Sequence, residues 1–366
     1  MVEPDCKYFG NCGGCSAQHI PYELQLENKK KQLEIITKIP VKVFSEEKYN
    51  YRNRMDLIFT SNSLGLRKKS EWQKIVPIDN CLIADKKINT FMSEIQSFFT
   101  NNDTFDVKKH SGTFRYAVIR TADDSSISFV LNSKSTKLGE AIEQIKSFAE
   151  KTSAENILVT YVPPETDVST SSDFFVVKGN DYLTINYHNK NFHYSIQSFF
   201  QNNHLMAKKM HEYCSEILSK YPTKENNLLD LYGGVGTFGI INSELFKKVT
   251  IVEFSKESIE MANHNIQLNN LDNVEAFAMD SKYLKNLNLK TPIYLITDPP
   301  RTGMDPKTIN AIKELKPYLI IYISCNPQQL SKDLVKLHEY KVNSAALFDL
   351  FPQTPHSEAI VELILK

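Results

Sequence analysis

The chain lacks the long apolar segment that a membrane protein needs. No uninterrupted apolar run of about 18 residues, the length a membrane-spanning helix requires, occurs in its 366 residues. Its first residues contain neither a basic segment nor an apolar one, so no secretory signal is expected. Glycine and proline number only 12 and 15, too few for a collagen-like or low-complexity chain. We therefore expect a folded cytoplasmic protein without membrane contact, in a compartment where thiols stay reduced.

The chain also lacks net charge, since 43 basic residues offset 43 acidic ones. The charge is uneven, however: residues 1–90 hold 15 Lys and Arg against 11 Asp and Glu, which leaves +4 there and −4 in the remainder. Nucleic-acid binding depends on a local basic patch, so a total of zero neither favours nor excludes it. A length of 366 residues predicts two or three domains with sizeable cores.

Three of the six cysteines fall within ten residues, at Cys6, Cys12 and Cys15. The glycines between them allow the backbone to wrap closely around a central object. Thiols so close together in a reducing compartment indicate a metal or iron–sulfur site rather than disulfides. A fourth ligand must come from elsewhere, and Cys81 is the natural candidate. The spacing alone leaves a structural zinc and an iron–sulfur cluster both open.

The first half of the chain has the pattern of a mixed α/β region. Apolar residues at helical spacing predict an amphipathic helix over 21–39, and a strand-rich pattern follows over 49–85. Further helices are expected at 88–100 and 137–150, and strands at 115–121, 126–132 and 156–161. Residues 163–180 are rich in Pro, Thr, Ser and Asp, which predicts a loop.

Beyond residue 200, predicted strands alternate with helices. A helix is expected at 203–220, and strands at 228–231, 249–253, 274–278, 293–297 and 319–324. This alternation favours an α/β fold with a parallel, doubly wound sheet. Two last segments, 344–348 and 358–365, predict an antiparallel pair that closes the sheet.

A glycine-rich turn follows the first of these strands, directly after Asp230. Such a turn between a strand and a helix lets a ligand approach the backbone. Glu253 ends the next strand, 23 positions later, where a carboxylate is suited to bind ribose hydroxyls. Asp230 favours S-adenosylmethionine over a dinucleotide, because an acid there can hold the methionine amino group but repels a pyrophosphate.

Two later strand ends carry reactive groups, and ligands in such sheets bind beyond the carboxyl ends of the strands. Asp298 is followed by two prolines and Arg301, which predicts a rigid loop facing the substrate. Cys325 comes just before a helix start, where we expect a lowered thiol pKa. Glu358 begins the last strand and is within reach of the same pocket, whereas Cys214 is expected in the core.

These groups fit one reaction scheme. Carbon 5 of uracil is a poor nucleophile, but a thiolate that adds to carbon 6 turns the base into an enolate. Carbon 5 of the enolate can attack a sulfonium methyl group, and a base must then remove the carbon 5 proton. Cys325 fits the nucleophile and Glu358 the base, with Asp298 positioning the uracil or the cofactor.

The motifs, taken together and in this order, resemble those of the RNA 5-methyluridine (uracil-C5) methyltransferases along nearly the whole chain. The matching segments are Cys6-x5-Cys12-Gly-Gly-Cys15 with Cys81, Tyr51-Arg-Asn-Arg54, Phe199-Phe-Gln201-x-Asn203, Asp230-Leu-Tyr-Gly-Gly-Val-Gly-Thr-Phe, Asp298-Pro-Pro-Arg301, Ser324-Cys-Asn-Pro327 and His356-x-Glu358.

The resemblance implies a fold, two cofactors and residue roles. It implies a Rossmann-like S-adenosylmethionine-dependent methyltransferase domain over 191–366. It also implies a mixed α/β RNA-binding domain over 1–20 and 40–190, and a helix over 21–39 that packs on the catalytic domain. The implied ligands of a [4Fe-4S] cluster are Cys6, Cys12, Cys15 and Cys81. The implied catalytic residues are Cys325 and Glu358, and the implied methyl-donor contacts are Gln201, Tyr232, Glu253 and Asp298.

The compact form is similar to archaeal enzymes that methylate the T-loop uridine, position 54, of tRNA. Many relatives begin with a small β-barrel RNA-binding domain, which this sequence does not contain, so RNA contacts are expected from the cysteine-bearing domain. A uridine of large-subunit ribosomal RNA is the close alternative substrate, and no obligate protein partner is expected. A cytosine-C5 enzyme is disfavoured, because such enzymes carry a second cysteine near the proline motif. A non-catalytic iron–sulfur RNA-binding protein is the remote alternative.

Overall fold

A computed structural model describes residues 1–287 and 289–366. The helices are α1 (Tyr22–Thr37), α2 (Lys86–Phe98), α3 (Leu138–Ala149), α4 (His204–Leu218), α5 (Thr237–Ile241), α6 (Lys256–Leu268), α7 (Pro306–Leu315) and α8 (Pro327–Lys336). The strands of the first half are β1 (Lys42–Phe44), β2 (Arg54–Thr60), β3 (Ser63–Lys68), β4 (Glu71–Pro77), β5 (Phe114–Thr121), β6 (Ser125–Asn132), β7 (Asn156–Val162), β8 (Phe174–Lys178), β9 (Tyr182–Tyr187) and β10 (Lys190–Ser195). The remaining strands are β11 (Asn227–Leu231), β12 (Lys248–Glu253), β13 (Val274–Ala278), β14 (Ile293–Thr297), β15 (Leu319–Ser324), β16 (Tyr340–Phe348) and β17 (Glu358–Leu365).

The second half folds around an eight-stranded sheet in the order β1-β16-β17-β15-β14-β11-β12-β13. Strands β15, β14, β11, β12 and β13 are parallel, and β17 runs antiparallel to both β15 and β16. The predicted parallel sheet and its closing antiparallel pair are therefore confirmed. Because the parallel strands point one way, their carboxyl ends share one edge of the sheet, where ligands of such folds bind.

The first half folds around a seven-stranded sheet in the order β4-β3-β2-β5-β6-β7-β8. Helices α2 and α3 bury their apolar faces against it, and Phe59, Phe99, Phe129 and Phe148 meet in the core at ring distances of 5.2–6.2 Å. A buried arginine joins this sheet to the second half: Arg120 donates hydrogen bonds to main-chain oxygens just after β10. An apolar side chain could not donate these hydrogen bonds, so this contact between the two halves depends on an arginine.

Two segments cross between the halves in a way that differs from the expected boundaries. Residues 42–44 pair with β16 and so belong to the eight-stranded sheet rather than to the first domain. The expected boundary at residue 190 also splits the β9–β10 hairpin, in which Leu183 and Ile185 are buried in the core of the second half. Helix α1, although amino-terminal, contacts α8 and β16. Burial of apolar side chains, which a linear pattern does not locate, sets these boundaries.

One local prediction is wrong. The segment 163–180 contains a strand, β8, which pairs with β7, so only its first part is a loop. Its polar composition hides the strand because β8 lies at the edge of the sheet and is only half-buried. Among the described residues, no helix is both long and apolar enough to cross a membrane.

Candidate active site

A cavity of about 1060 Å³ opens at the carboxyl edge of the large sheet. Six residues that the sequence singled out for catalysis or cofactor binding line it: Gln201, Tyr232, Glu253, Asp298, Cys325 and Glu358. Tyr232 and Asp298 each follow the last residue of a parallel strand, and Glu253 is itself a strand's last residue. The fold therefore gathers groups that lie up to 157 positions apart in the sequence, from 201 to 358.

The register of the last strand brings Cys325 and Glu358 together. Ser324 of β15 pairs with Ala359 of the antiparallel β17. The next position along β15 is Cys325, and the preceding position along β17 is Glu358, so the two stand side by side where the strands part. Glu358 is buried, with 5% of its surface exposed. A thiol and a carboxyl group thus occupy one end of the cavity.

Burial makes both groups weaker acids. The pKa of Cys325 is raised to about 11 by burial and then by the nearby carboxyl groups of Glu358 and Asp298, while Arg301 acts to lower it. The pKa of Glu358 is likewise raised well above its usual value by burial. The lowered thiol pKa that we predicted for Cys325 is therefore wrong. The proximity of two acids and the loss of water outweigh the position before α8.

The turn after β11 is built for close approach. A Cβ atom on Gly233 would lie 2.7 Å from Ile251, and one on Gly236 would lie 2.9 Å from the same side chain. Tyr232 adopts a left-handed backbone with φ of 63°, which a non-glycine residue adopts only at a cost. Its hydroxyl accepts a hydrogen bond from Ser281 at 2.8 Å. The turn thus holds the Tyr232 side chain in a fixed place at the cavity wall.

Glu253 is held in place by two backbone hydrogen bonds. Its carboxylate accepts hydrogen bonds from the backbone nitrogens of Gly234 at 3.3 Å and Ser255 at 2.9 Å. The next residue, Phe254, also lines the cavity, with 74% of its surface exposed. We assigned Phe254 no role from the sequence, although its position directly after the strand-end acid Glu253 could have indicated a cavity residue.

Asp230 lies beneath the glycine-rich turn rather than in the cavity wall. One carboxylate oxygen accepts a hydrogen bond from the backbone nitrogen of Gly239 at 2.8 Å, and the other is buried without a partner among the described residues. Burial raises its pKa to about 7. The burial of Asp298 has the same effect and also raises its pKa to about 7. Such acids favour a cation nearby, because a positive charge would offset the loss of hydration.

Two further residues of the cavity come from motifs whose individual roles the sequence did not reveal. Phe199 lies at the wall with 74% of its surface exposed. Arg52 lines both this cavity and a neighbouring one, and its Nε atom donates to the backbone oxygen of Arg54 at 2.9 Å. An exposed aromatic ring and a cation in the cavity lining suit a planar base and its phosphate.

The neighbouring cavity, of about 500 Å³, is lined by all four cysteines proposed as ligands: Cys6, Cys12, Cys15 and Cys81. All four are free thiols and half-buried. Burial raises the pKa of Cys15 to about 11, and the other three thiols act in the same direction. In the described part of the chain, no three His, Cys, Asp or Glu side chains have the arrangement of a preformed metal site.

The cysteine set nevertheless fits a metal centre in its chemistry. The backbone nitrogen of Gly14 donates to the sulfur of Cys12 at 3.4 Å, as donors to metal-bound thiolates do. Backbone hydrogen bonds from Ile83 and Ala84 act to lower the pKa of Cys81, against the effect of its burial. Mutual repulsion among four thiolates would be relieved by a cation at their centre.

The cysteine loop, which carries Cys6, Cys12 and Cys15, and the motif around Arg52 both adjoin the active-site cavity. Gly14 and Arg52 line both cavities. Asn53 donates from its side chain to the backbone of Gln201 at 3.1 Å, and Tyr51 donates to the backbone of Pro352 at 2.9 Å. The motif from Tyr51 to Arg54 therefore joins the cysteine cavity to the segment that leads to Glu358.

That segment, 349–357, is held by the cysteine loop from one side. The backbone nitrogens of Ser16 and Ala17 both donate to the backbone oxygen of Gln353 at 3.0 Å. Gln353 has a left-handed backbone, with φ of 66°, and is 2% exposed. The constraint on this residue therefore originates partly in the loop that carries the first three cysteines.

Helix α1 holds the same segment from the other side. Lys29 forms a buried ion pair with Asp349 at 2.6 Å, and Tyr22 donates to the same carboxylate at 2.8 Å. Gln25 donates to the side chain of Gln353 at 3.1 Å. An amino-terminal helix thus positions the segment immediately before the buried Glu358.

Comparison with known proteins agrees with this geometry. The family described as tRNA (Uracil-5-)-methyltransferase matches residues 21–366. The chain is 31% identical to a tRNA (uracil(54)-C(5))-methyltransferase of Pyrococcus abyssi, over 99% of this chain and 86% of that protein. It is 33% identical to the protein of the same name from Pyrococcus horikoshii, over 98% of this chain and 85% of that protein.

A solved structure gives the same result. The crystal structure of the Pyrococcus abyssi tRNA (uracil-54, C5)-methyltransferase in complex with S-adenosyl-L-homocysteine matches with a TM-score of 0.82 and 29% identity. The match covers 96% of this chain and 86% of that one. With the predicted fold and the gathered site residues, these matches show that the chain belongs to the tRNA (uracil-5-)-methyltransferase family, whose members are S-adenosylmethionine-dependent methyltransferases.

Proposed function

We propose that this protein transfers the methyl group of S-adenosylmethionine to carbon 5 of uridine 54 in tRNA. The observation that carries the proposal is that Cys325 and Glu358, which adjoin the paired residues Ser324 and Ala359, line one cavity suited to the methyl donor. The names of the Pyrococcus relatives, which state this reaction, support the choice of tRNA and of its uridine.

The methyl donor is held by five side chains in this proposal. Glu253 binds the ribose hydroxyls, and the exposed ring of Phe254 packs on the adenine. Tyr232 and Gln201 contact the methionine portion from opposite walls of the cavity. Asp230, buried beneath the turn with a free oxygen, attracts the positively charged amino group and sulfonium.

The chain's own residues carry the chemical steps. The thiol proton of Cys325 passes to water, and the sulfur bonds to carbon 6 of the uracil, which places the electron pair on carbon 5 and oxygen 4. Carbon 5 bonds to the methyl group as the methyl–sulfur bond of the donor breaks. Glu358 then removes the proton from carbon 5, and the returning electron pair expels the sulfur of Cys325. Asp298, beside both groups, positions the uracil.

The target base must leave its loop to reach Cys325, because the thiol lies inside the cavity. Phe199 and Arg52 are placed to receive it. The exposed ring of Phe199 stacks on the flipped uracil, and the guanidinium of Arg52 contacts the adjoining phosphate or an oxygen of the base.

Cys6, Cys12, Cys15 and Cys81 hold a four-iron cluster in this proposal. Such a cluster supplies a fixed centre for the loop and no electron to the reaction, since methyl transfer from a sulfonium is not a redox step. The support is that the four cysteines line one cavity, and that this cavity shares Gly14 and Arg52 with the active-site cavity. Cys12→Ser should lose iron, sulfide and the visible absorption of the anaerobically purified protein, and should weaken RNA binding. Zinc in place of iron in the wild type would contradict the cluster.

The test is methyl transfer from labelled S-adenosylmethionine to unmodified tRNA and, in parallel, unmodified ribosomal RNA. Mass spectrometry of the digested RNA should find 5-methyluridine in tRNA alone, at position 54. A product only in ribosomal RNA would keep the chemistry and overturn the substrate. No product in either, with the methyl donor bound, would overturn the enzymatic proposal.

A further inference from the structure

The only tryptophan of the chain lies at the surface. Trp72, on the hairpin of β3 and β4, has 54% of its surface exposed. Tryptophan is usually well buried, because its ring removes a large apolar area from water. An exposed indole ring therefore needs an explanation, and stacking on an unpaired nucleobase is one that its flat face suits.

The ring is held by a fixed cation. The guanidinium carbon of Arg67 lies 5.3 Å from the centre of the Trp72 ring, and its Nη1 atom donates to the backbone oxygen of Trp72 at 2.8 Å. Its Nη2 atom donates to both carboxylate oxygens of Asp167, at 2.8 and 2.9 Å, and to Tyr116 at 3.1 Å. A ring held this way loses little conformational entropy when a ligand stacks on it.

Positive charge surrounds the ring. The hairpin segment 67–74 contains one arginine and three lysines against one glutamate, for a net charge of +3. Lys68 and Lys74 both pair with Glu71. Lys69 is exposed at the turn and has no carboxylate partner in the part of the chain that the structure describes. The surface thus combines an aromatic face with cations, the combination that binds single-stranded nucleic acid.

The hairpin borders the active-site cavity. The backbone nitrogen of Gly13, which lines that cavity, donates to the backbone oxygen of Arg67 at 2.9 Å. The backbone nitrogen of Lys69 donates to the oxygen of Asn11 at 2.8 Å. One residue, Arg67, therefore touches the cavity wall through its backbone and Trp72 through its side chain.

We propose that this hairpin binds the unpaired RNA next to the methylated uridine, with Trp72 stacked on a flanking base and Lys69 on a phosphate. The inference rests on the proposed function and names the surface that holds its substrate. Extrusion of the target uridine unstacks its neighbours, and a ring on the hairpin beside the cavity replaces the stacking they lose. Stacking tolerates any base, so the hairpin supplies affinity and placement rather than sequence choice.

The sole tryptophan makes the test direct, because indole emission from the whole protein reports on Trp72 alone. The protein, loaded with S-adenosylhomocysteine to prevent turnover, is titrated with an unmodified tRNA transcript, with the isolated T-stem-loop, and with a base-paired RNA of equal length. Quenching of the emission is expected with the first two RNAs and not with the duplex.

Variants separate stacking from folding. Trp72→Ala should raise the Kd and KM for tRNA about tenfold, the effect of losing one stacked base, with kcat and S-adenosylmethionine binding little changed. Trp72→Phe, which keeps a ring, should restore most of the affinity. Tyr318→Ala is the matched control, since Tyr318 is 46% exposed and precedes β15 at the edge of the sheet opposite Cys325.

Salt dependence tests the phosphate contact. Lys69→Ala should lower the slope of log Kd against log salt by about 1, whereas Lys341→Ala, an exposed lysine in β16, should leave it unchanged.

Unchanged emission upon saturating tRNA, or a Trp72→Ala protein with wild-type Kd and KM, would overturn the inference while methyl transfer proceeds normally. Self-association lost in Trp72→Ala, with tRNA affinity kept, would also overturn it and assign the surface to a second copy of the chain. Quenching by tRNA without methyl transfer would uphold the surface and remove the proposed reaction.

Discussion

The surroundings of Cys325 disfavour its thiolate form, which is the form that the proposed reaction needs. Glu358 and Asp298 both raise its pKa, and Arg301 alone of its charged neighbours acts to lower it. Glu358 also has a raised pKa, because burial opposes the ionisation of its carboxyl group as well. The approach of a sulfonium cation would favour ionisation of all three acids, so binding and activation are coupled.

The pH profile of the reaction follows from these shifts. In the proposed reaction, Cys325 and Glu358 both act in their deprotonated forms. Because both have raised pKa values, kcat/KM should increase with pH from about 6.5 to 9. Arg301→Gln removes the group that lowers the thiol pKa and should move the rise to higher pH. Single-turnover rates across this range measure it, and a rate independent of pH above 6.5 would contradict the assignment.

Glu358→Gln should stop the reaction after methyl transfer. The amide keeps the shape of the side chain but takes up no proton from carbon 5, so the sulfur of Cys325 stays bound to carbon 6. We expect turnover to fall by about 10²–10⁴-fold, with a protein–RNA adduct that survives denaturing electrophoresis. The adduct should require the methyl donor and be absent from Cys325→Ser combined with Glu358→Gln; its formation there would contradict the roles.

Asp230→Asn should change stability and methyl-donor binding in opposite directions at pH 8. Asp230 has a folded-state pKa of about 7 against about 3.8 unfolded, so folding favours its protonated form and stability declines as pH rises from 4 through 7. At pH 8 the amide avoids this loss and should stabilise the ligand-free protein by at least about 1.4 kcal/mol, the value of a tenfold change in proton affinity. Binding of S-adenosylmethionine should weaken. Urea unfolding at pH 5 and at pH 8 measures the stability of the wild type and of the variant. A variant less stable than the wild type at pH 8 would contradict the raised pKa of Asp230.

At the scale of elements, α1 and the cysteine loop act together on one segment. Ser16 and Ala17 bind the backbone of Gln353, and Lys29 is paired with Asp349 in the interior. The segment between Asp349 and Glu358 therefore has partners from outside the eight-stranded sheet. This arrangement connects the loop that carries Cys6, Cys12 and Cys15 with the segment that leads to Glu358.

Lys29→Ala should be costly for this reason. The substitution leaves the fully buried carboxylate of Asp349 without its cation, which typically costs about 3–5 kcal/mol. We also expect kcat to fall more than the KM for tRNA changes, since the segment leads to Glu358. Lys31→Ala, on the exposed side of the same helix and paired with Glu27, should cost less than about 1 kcal/mol. Equal losses of stability in the two variants, measured by urea unfolding, would contradict the role assigned to the Lys29–Asp349 ion pair.

Periodicity located most elements but not their partners. The alternating pattern from residue 228 to 324 predicted every parallel strand, because buried strands and amphipathic helices differ in period. It missed the β9–β10 hairpin and β8, whose half-polar edges resemble loops. Nor could it place residues 42–44 beside β16, since pairing across some 300 positions leaves no local signal.

For the whole molecule, the active-site cavity, the cysteine cavity and the β3–β4 hairpin lie next to one another. The active-site and cysteine cavities share Gly14 and Arg52, and the β3–β4 hairpin adjoins both. Sequence motifs named the six cavity residues because catalytic chemistry restricts residue type. They did not reveal the raised thiol pKa, which depends on how near the fold brings Glu358 and Asp298.

Methylation at carbon 5 of uridine 54 is tested with unmodified tRNA transcribed with tritium at carbon 5 of its uridines. We expect one tritium atom to be released to water for each methyl group transferred, because carbon 5 exchanges its hydrogen for the methyl. Release should disappear in a transcript whose position 54 is cytidine. Methyl transfer without tritium release would place the methyl group on another atom and contradict the roles of Cys325 and Glu358.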